Sequence, residues 1–478
     1  MPVTGPNRSA TTAPTSSPYT TTGAPAPARA ATSAPATSPA TAATTSAPSG
    51  SLTPGASMAP GAQDADAPAT GRALHFRMDQ MKEYRPGAID YVNHVHRIVP
   101  DAELRFDALP LSGTCSQRPW SDDYWSKANG GLAFRWRTGE KHNFALPTKD
   151  QLKAMPPNEQ REYLNNLSPA EKYDLLCGNF DFPFTNHMRS SCPASTPAWQ
   201  GYCHGWAMAA IHFKEPKPVD IVSPDGLPLH FGTSDIKALL TFLQGEISNT
   251  RYNAEFTTQT RTMGINNPGA KPEDPRAYDV NPGSFHALLC NSIGMRDQAF
   301  GIDCDNAAQK WNQPVHTYDA TVLGTQDPDE HASHEAVKQL VVRANVTYTV
   351  EIPPHEERAL GTPRHHDRTE TYHYTVELDN AGKICGGQWL AQLDDGSLVS
   401  YHDALDYLRN ESGKGDADVK AIMENVFRFP DYAYMQDKAK IASEDTFKQA
   451  DSSYAFLSND KRKLWHYFAK LNQLVDVN

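Results

Sequence analysis

The spacing of apolar residues changes from helical to alternating between Gly245 and Phe285. Before that point Thr148-Lys149-Asp150-Gln151 reads as a capping box opening a short helix through Met155, and 158–167 reads as a second helix. Ser168-Pro169-Ala170-Glu171 is another capping box, with proline at the first helical position, and starts a helix through Leu176. A helix from Cys203 places Trp206, Ala207, Ala210 and Ile211 on one stripe with the thiol at its first turn, and Pro216 ends it. Ser234 is expected to cap a further helix carrying Ile236, Leu239, Leu240 and Leu243, with Gly245 at its end.

After Gly245 the period is two. Strands are expected over 285–293 and 300–304, where Val342, Ala344, Val346, Tyr348 and Val350 alternate, and where Tyr372, Tyr374, Val376 and Leu378 alternate. Asp379-Asn380-Ala381-Gly382 turns the last of these back into 383–389. Beyond Tyr401 the pattern is helical again, polar and lysine-rich, and reads as an appendage. The fold class is α+β: helices followed by an antiparallel sheet, spanning residues 73–400, with a helical extension over 401–478.

Composition changes this picture at the N-terminus. Residues 1–72 are mainly Thr, Ser, Ala, Pro and Gly, with Tyr19 and Leu52 as the only aromatic and the only leucine, too little apolar surface to offset the entropy of ordering. This segment is expected to be a disordered tail. The first thirty residues lack the apolar run of a signal peptide, and no window approaches the length of a membrane span. A net charge of −12 without a basic cluster speaks against a nucleic-acid partner. Of seven cysteines, six besides Cys203 can form up to three disulfides or remain reduced core thiols.

Cys203 follows a glycine-containing turn, Trp199-Gln200-Gly201-Tyr202, and a thiol at a helix N-terminus gains reactivity from unpaired N–H groups and the helix dipole. A free cysteine is equally a common core residue. A nucleophile needs a base and a group that orients the base. His204 is adjacent on the helix and points to another face, so His286, expected at the start of a strand after Pro282-Gly283, is the better base. Asp303 or Asp305, on the following strand, is placed to orient the imidazole, and Gln200 is an oxyanion donor by proximity. His365-His366-Asp367 with His373, and His94 with His96, match no standard zinc spacing. Asp327-Pro328-Asp329-Glu330 and Asp394-Asp395 are acidic loops without EF-hand spacing. Sequons stand at Asn7, Asn345 and Asn410.

Trp311-Asn312-Gln313-Pro314-Val315 resembles the core peptide of the oomycete and bacterial transglutaminase elicitors. Pro119 to Trp125, Leu167 to Leu176, Cys203-His204-Gly205-Trp206, Asn281 to His286 and Gly386-Gly387-Gln388-Trp389 follow that family's order, so the resemblance spans Pro119 to Trp389. It departs at His316-Thr317-Tyr318-Asp319, where the elicitor peptide has a basic residue and a glycine. The resemblance implies a secreted protein-glutamine γ-glutamyltransferase with a papain-like core. It implies dependence on calcium, and protein substrates bearing glutamine and lysine side chains. Carried over, Cys203 is the nucleophile, His286 the base and Asp303 the orienting acid, with Asp305 in reserve. A cysteine protease or glutamine deamidase would use the same groups, and a non-catalytic elicitor would keep only the fold. Export without a recognisable signal peptide is expected; a cytoplasmic location is the alternative.

Overall fold

The capping boxes form helices where the sequence places them. In helix α1 (Lys149–Ala154) the Thr148 hydroxyl accepts from the Gln151 N–H while the Gln151 amide oxygen accepts from the Thr148 N–H. Helix α2 (Pro157–Asn165) follows, and Ser168 and Glu171 make the same reciprocal cap on α3 (Pro169–Leu176). Helix α4 (Pro183–Ser191), which no capping box announces, starts from Phe182 in the left-handed region. Helix α5 (Cys203–His212) carries the thiol on its first residue. The strand hairpin β2 (Val219–Val222) and β3 (Pro228–Phe231) separates it from α6 (Thr233–Phe242), which continues as a π-helical turn over Leu243–Ile247. The cap of α6 is Gly232, whose N–H donates to Asp235, whereas Ser234 lies inside the helix with its hydroxyl on Asp122.

The computed structural model describes residues 87–89, 93–247, 259–264, 280–304, 309–392, 396–410, 415, 418, 419, 423, 429–439 and 469–475. All belong to one unit, Phe76–Asn478. The tail over 1–72, Asp305 and the Asp394-Asp395 pair lie outside the described residues.

The expected strand over 285–293 is instead helix α7 (Pro282–Leu288) followed by a π-helical turn over Leu289–Met295. The side chain of Asn281 accepts from the N–H groups of Gly283 and Ser284, and Pro282 fills the first helical position. Asn-Pro here is a helix start, not a turn into a strand.

The remaining strands are β1 (Ser112–Thr114), β4 (Thr260–Gly264), β5 (Phe300–Asp303), β6 (Asn312–Gln326), β7 (Lys338–Thr349), β8 (Asp367–Leu378), β9 (Ile384–Gly386), β10 (Trp389–Gln392), β11 (Leu398–Ser400) and β12 (Tyr432–Gln436). They form an antiparallel sheet in the order β11-β10-β8-β7-β6-β5-β12-β4, with β1 on β6 and β9 on β8. The region after Tyr401 is therefore not wholly helical. After helix α8 (Tyr401–Asn410) it supplies β12, which inserts between β5 and β4. The architecture is α+β, as expected.

Two apolar cores result. One lies on the sheet and includes Phe285, Leu288, Val342, Val376 and Trp389; the other lies among the helices and includes Trp120, Phe184, Trp206 and Leu239. Ile211 of α5 packs against both, so this helix lies between helical layer and sheet. At Gly205 an added Cβ would stand 2.3 Å from the Thr241 carbonyl oxygen, so only glycine permits this crossing of α5 and α6. The helical layer also buries ion pairs, among them Lys172–Asp235 and Lys237–Glu215, each at 2.7 Å. Among the described residues no helix is long and apolar enough to cross a membrane.

Candidate active site

Cys203 is buried at the start of α5. Its Sγ accepts from Nδ2 of Asn312 at 3.4 Å, and its S–H donates to the Lys310 carbonyl at 3.5 Å. Asn312 is the first residue of β6 and pairs in register with Asp303, the last residue of β5. The Tyr432 hydroxyl, from β12, donates to Oδ1 of Asn312 at 2.8 Å. That contact fixes which end of the amide faces the sulfur. Asp303 is fully buried, accepts from the Trp311 N–H at 2.8 Å, and its charge is felt at Cys203.

The backbone holding the helix start is equally constrained. The Tyr202 N–H donates to the Tyr124 carbonyl at 2.7 Å, and a Cβ on Gly201 would stand 2.4 Å from that same oxygen. Trp125 takes a left-handed backbone, φ 52°, with its indole buried and donating to Asp122. Tyr124, the residue before it, lies against Trp311, the two ring centroids 5.5 Å apart. The Gln200 carbonyl accepts from the Lys127 N–H, and its half-buried side chain precedes the thiol by one turn.

Burial is the largest influence on the thiol and pushes it up to about 11, against the hydrogen bonds from Asn312 that lower it. The expected lowering at the helix N-terminus is overridden: in a dry site, desolvation of the thiolate outweighs the dipole. At neutral pH burial keeps Cys203 in its thiol form.

His286 stands elsewhere. On α7 its Nδ1 meets the Tyr374 hydroxyl at 3.0 Å, its Nε2 meets Cys290 Sγ at 3.6 Å, and its ring stacks on Phe106. The last of these polar contacts is an i, i+4 pair on one helix face. Burial lowers the imidazole to about 4, so it is neutral, and it makes no hydrogen bond to Cys203 or Asp303. Of the expected trio, the fold brings Cys203 and Asp303 together and leaves His286 in the sheet core. His204 lies beside Glu246, with Nε2 3.9 Å from its carboxylate.

The groups that sequence reasoning missed are Asn312, Tyr432 and Glu351. Glu351, just past β7, accepts from Gln313 Nε2 with both oxygens, at 2.9 and 2.8 Å. Burial pushes it up to about 7. The signal for Asn312 was present in the WNQPV run, which reads as a recognition peptide until its strand is seen to border the thiol. All seven cysteines are free, so no disulfide shapes the site.

The described residues contain no group of three or more His, Cys, Asp or Glu side chains able to hold a metal ion. In the acidic loop at 327–330, the Asp329 carboxylate is taken by the amides of Gln388 and Gln339 and by the His331 N–H. Asp367 is taken by Arg118, His316 and His365. These residues do not fit a calcium site.

A model of the transglutaminase elicitor family matches residues 185–439, a little over half of the chain and the segment that holds Cys203, Asp303, Asn312 and Tyr432. The chain belongs to the transglutaminase elicitor family. Among solved structures, this transglutaminase-elicitor chain is similar to the GP42 transglutaminase from Phytophthora sojae. The match has 19% identity, covers 72% of this chain and 88% of that one, and has a TM-score of 0.47. No curated protein sequence matches it.

Proposed function

We propose that the protein is a protein-glutamine γ-glutamyltransferase that joins glutamine and lysine side chains through a Cys203 thioester. The observation that carries this reading is the contact of the Cys203 sulfur with Asn312, beside buried Asp303, inside the family-matched segment. A thiol at a helix start packed on an antiparallel sheet is also the arrangement of a papain-like core.

Asp303 takes the base role that the sequence suggested for His286. The sulfur attacks the carboxamide carbon of a bound glutamine as its proton passes to the Asp303 carboxylate. The C–N bond breaks, and that proton leaves with the nitrogen as ammonia. Asn312 steadies the developing thiolate, oriented by Tyr432. The Cys203 N–H, with the Gln200 side chain, is the oxyanion donor pair; loss of one such donor costs about 2.7–4 kcal/mol of barrier. The product class fits an extracellular role, with proteins bearing accessible glutamine and lysine as partners.

Labelling of a glutamine-rich protein by a fluorescent primary amine, with and without calcium, tests the reading against the Cys203→Ala variant. Labelling by the wild type and none by the variant is expected. Ammonia release without labelling identifies a deamidase, and neither signal from a folded chain removes the enzyme reading altogether.

A further inference from the structure

The sheet opens between β8 and β10. The two strands pair at Tyr374 opposite Trp389 and at His373 opposite Leu390, and then part. β8 runs on to its start at Asp367 with no strand on that side among the described residues. A cavity of about 710 Å³ lies where they separate, with Thr371 and Tyr372 on one wall and Trp389 and Gln392 on the other.

In an antiparallel strand each residue turns its N–H and C=O to one neighbour, and the next residue turns them to the other. The Thr375 N–H donates to the Gln388 carbonyl, on the β10 side. The carbonyls of Leu378 and of His366, just before the strand, accept from Val337 and Val350 on the β7 side. By this alternation the N–H and C=O of Thr371 face the cavity and those of Thr369 face the open edge beyond it, without a backbone partner among the described residues. The hydroxyls leave that edge bare: Thr371 Oγ1 donates to Asn345 Oδ1 and Thr369 Oγ1 meets Thr347 Oγ1, each at 2.8 Å on β7. Pairing with β7 is unbroken here, so the edge is straight, and from Asp367 to Tyr372 it has no proline, lysine or bulge of the kind that blunts a free edge.

The two faces beside the edge differ. On the face of Thr371, Arg343 lines the cavity, exposed and without a carboxylate partner among the described residues, whereas Glu370 on the other face is taken by Arg368. On the face of Tyr372, Trp389 and Phe429 stack with ring centroids 4.8 Å apart. An extended backbone supplies both a donor and an acceptor at strand spacing, which a small polar ligand does not. Its successive side chains then fall on opposite faces, an acidic one toward Arg343 and an apolar one toward the aromatic pair.

We propose that the open edge of β8 docks an extended segment of a partner protein, which adds as a strand on Thr371 and Thr369 and alternates acidic with apolar side chains. Cys203 and Asp303 take no part in it.

The test titrates the full chain into a fluorescein-labelled peptide, Gly-Thr-Val-Glu-Val-Glu-Val-Thr-Gly, and follows anisotropy and amide hydrogen exchange. Binding is expected to slow exchange at Thr369 and Thr371 and to leave the β7-facing amides of Glu370 and Tyr372 unchanged. Thr371→Pro removes the N–H that faces the cavity and none that faces β7, and is expected to weaken binding several-fold, up to about tenfold. Arg343→Glu, at an exposed side chain where folding is not at stake, is expected to weaken it about fivefold and to favour the peptide with lysine in place of both glutamates. No binding by the wild type, binding indifferent to Arg343→Glu, or protection at other amides overturns the proposal. Protection of the same two amides in the peptide-free chain, growing with protein concentration, assigns the edge to a second copy and overturns it as well.

Discussion

At the residue scale, the site depends on a chain of orientation that starts outside the family motif. Tyr432 fixes the Asn312 amide, and that amide faces the sulfur. Tyr432→Phe removes the hydroxyl alone, so the amide keeps its place but loses the bond that selects its orientation. A net hydrogen bond is worth roughly 0.5–1.5 kcal/mol, so single-turnover ammonia release is expected to slow several-fold, up to about tenfold, with little change in denaturant midpoint. An unchanged rate would separate Asn312 orientation from catalysis. Cys203 was legible in the sequence because a glycine turn before an apolar helical stripe is a local signal. Asn312 and Tyr432 were not, because their roles come from pairing across β5, β6 and β12 rather than from neighbours in the chain. His286 was misplaced for a local reason: Asn281 and Pro282 cap a helix, and the same residues also open turns.

At the element scale, the helices were the readable part. Thr148 with Gln151, and Ser168 with Glu171, satisfy each other's N–H groups, a contact that depends on sequence spacing alone. β7 and β8 were readable from alternation, their register running without a break from Lys338 opposite Leu378 to Thr349 opposite Asp367. β6 was not: its first five residues are buried on both faces and its last four are exposed, so the alternation is confined to a short middle stretch, 316–321. The crossing of α5 with α6 places the thiol, and it depends on Gly205. Gly205→Ala puts a methyl against a backbone carbonyl that cannot swing away. A loss of roughly 1–3 kcal/mol in urea unfolding is expected, with slower acyl transfer at temperatures where the variant is still folded. Stability equal to the wild type would mean that the two helices separate easily, and that their contact does not set the position of Cys203.

At the scale of the whole molecule, the sheet is completed by the part of the chain that looked most dispensable. β12 comes from beyond α8, sits between β5 and β4, and carries Tyr432 to the site. Leu471 and Leu474 are buried in the helical core. Catalytic segment and C-terminal region thus share one hydrogen-bonded sheet, and polar, lysine-rich composition concealed a strand whose partners lie more than a hundred residues away. The proposed reaction comes down to one chemical event, formation of a thioester at Cys203 with loss of ammonia. Intact and peptide-level mass spectrometry after mixing the wild type with a glutamine peptide, without any amine, and quenching in acid measures that event directly. The account predicts an adduct of the peptide mass less ammonia on the fragment containing Cys203, absent from Cys203→Ala and discharged on adding cadaverine. Ammonia release with no such adduct, or an adduct that persists in Cys203→Ala, would contradict it.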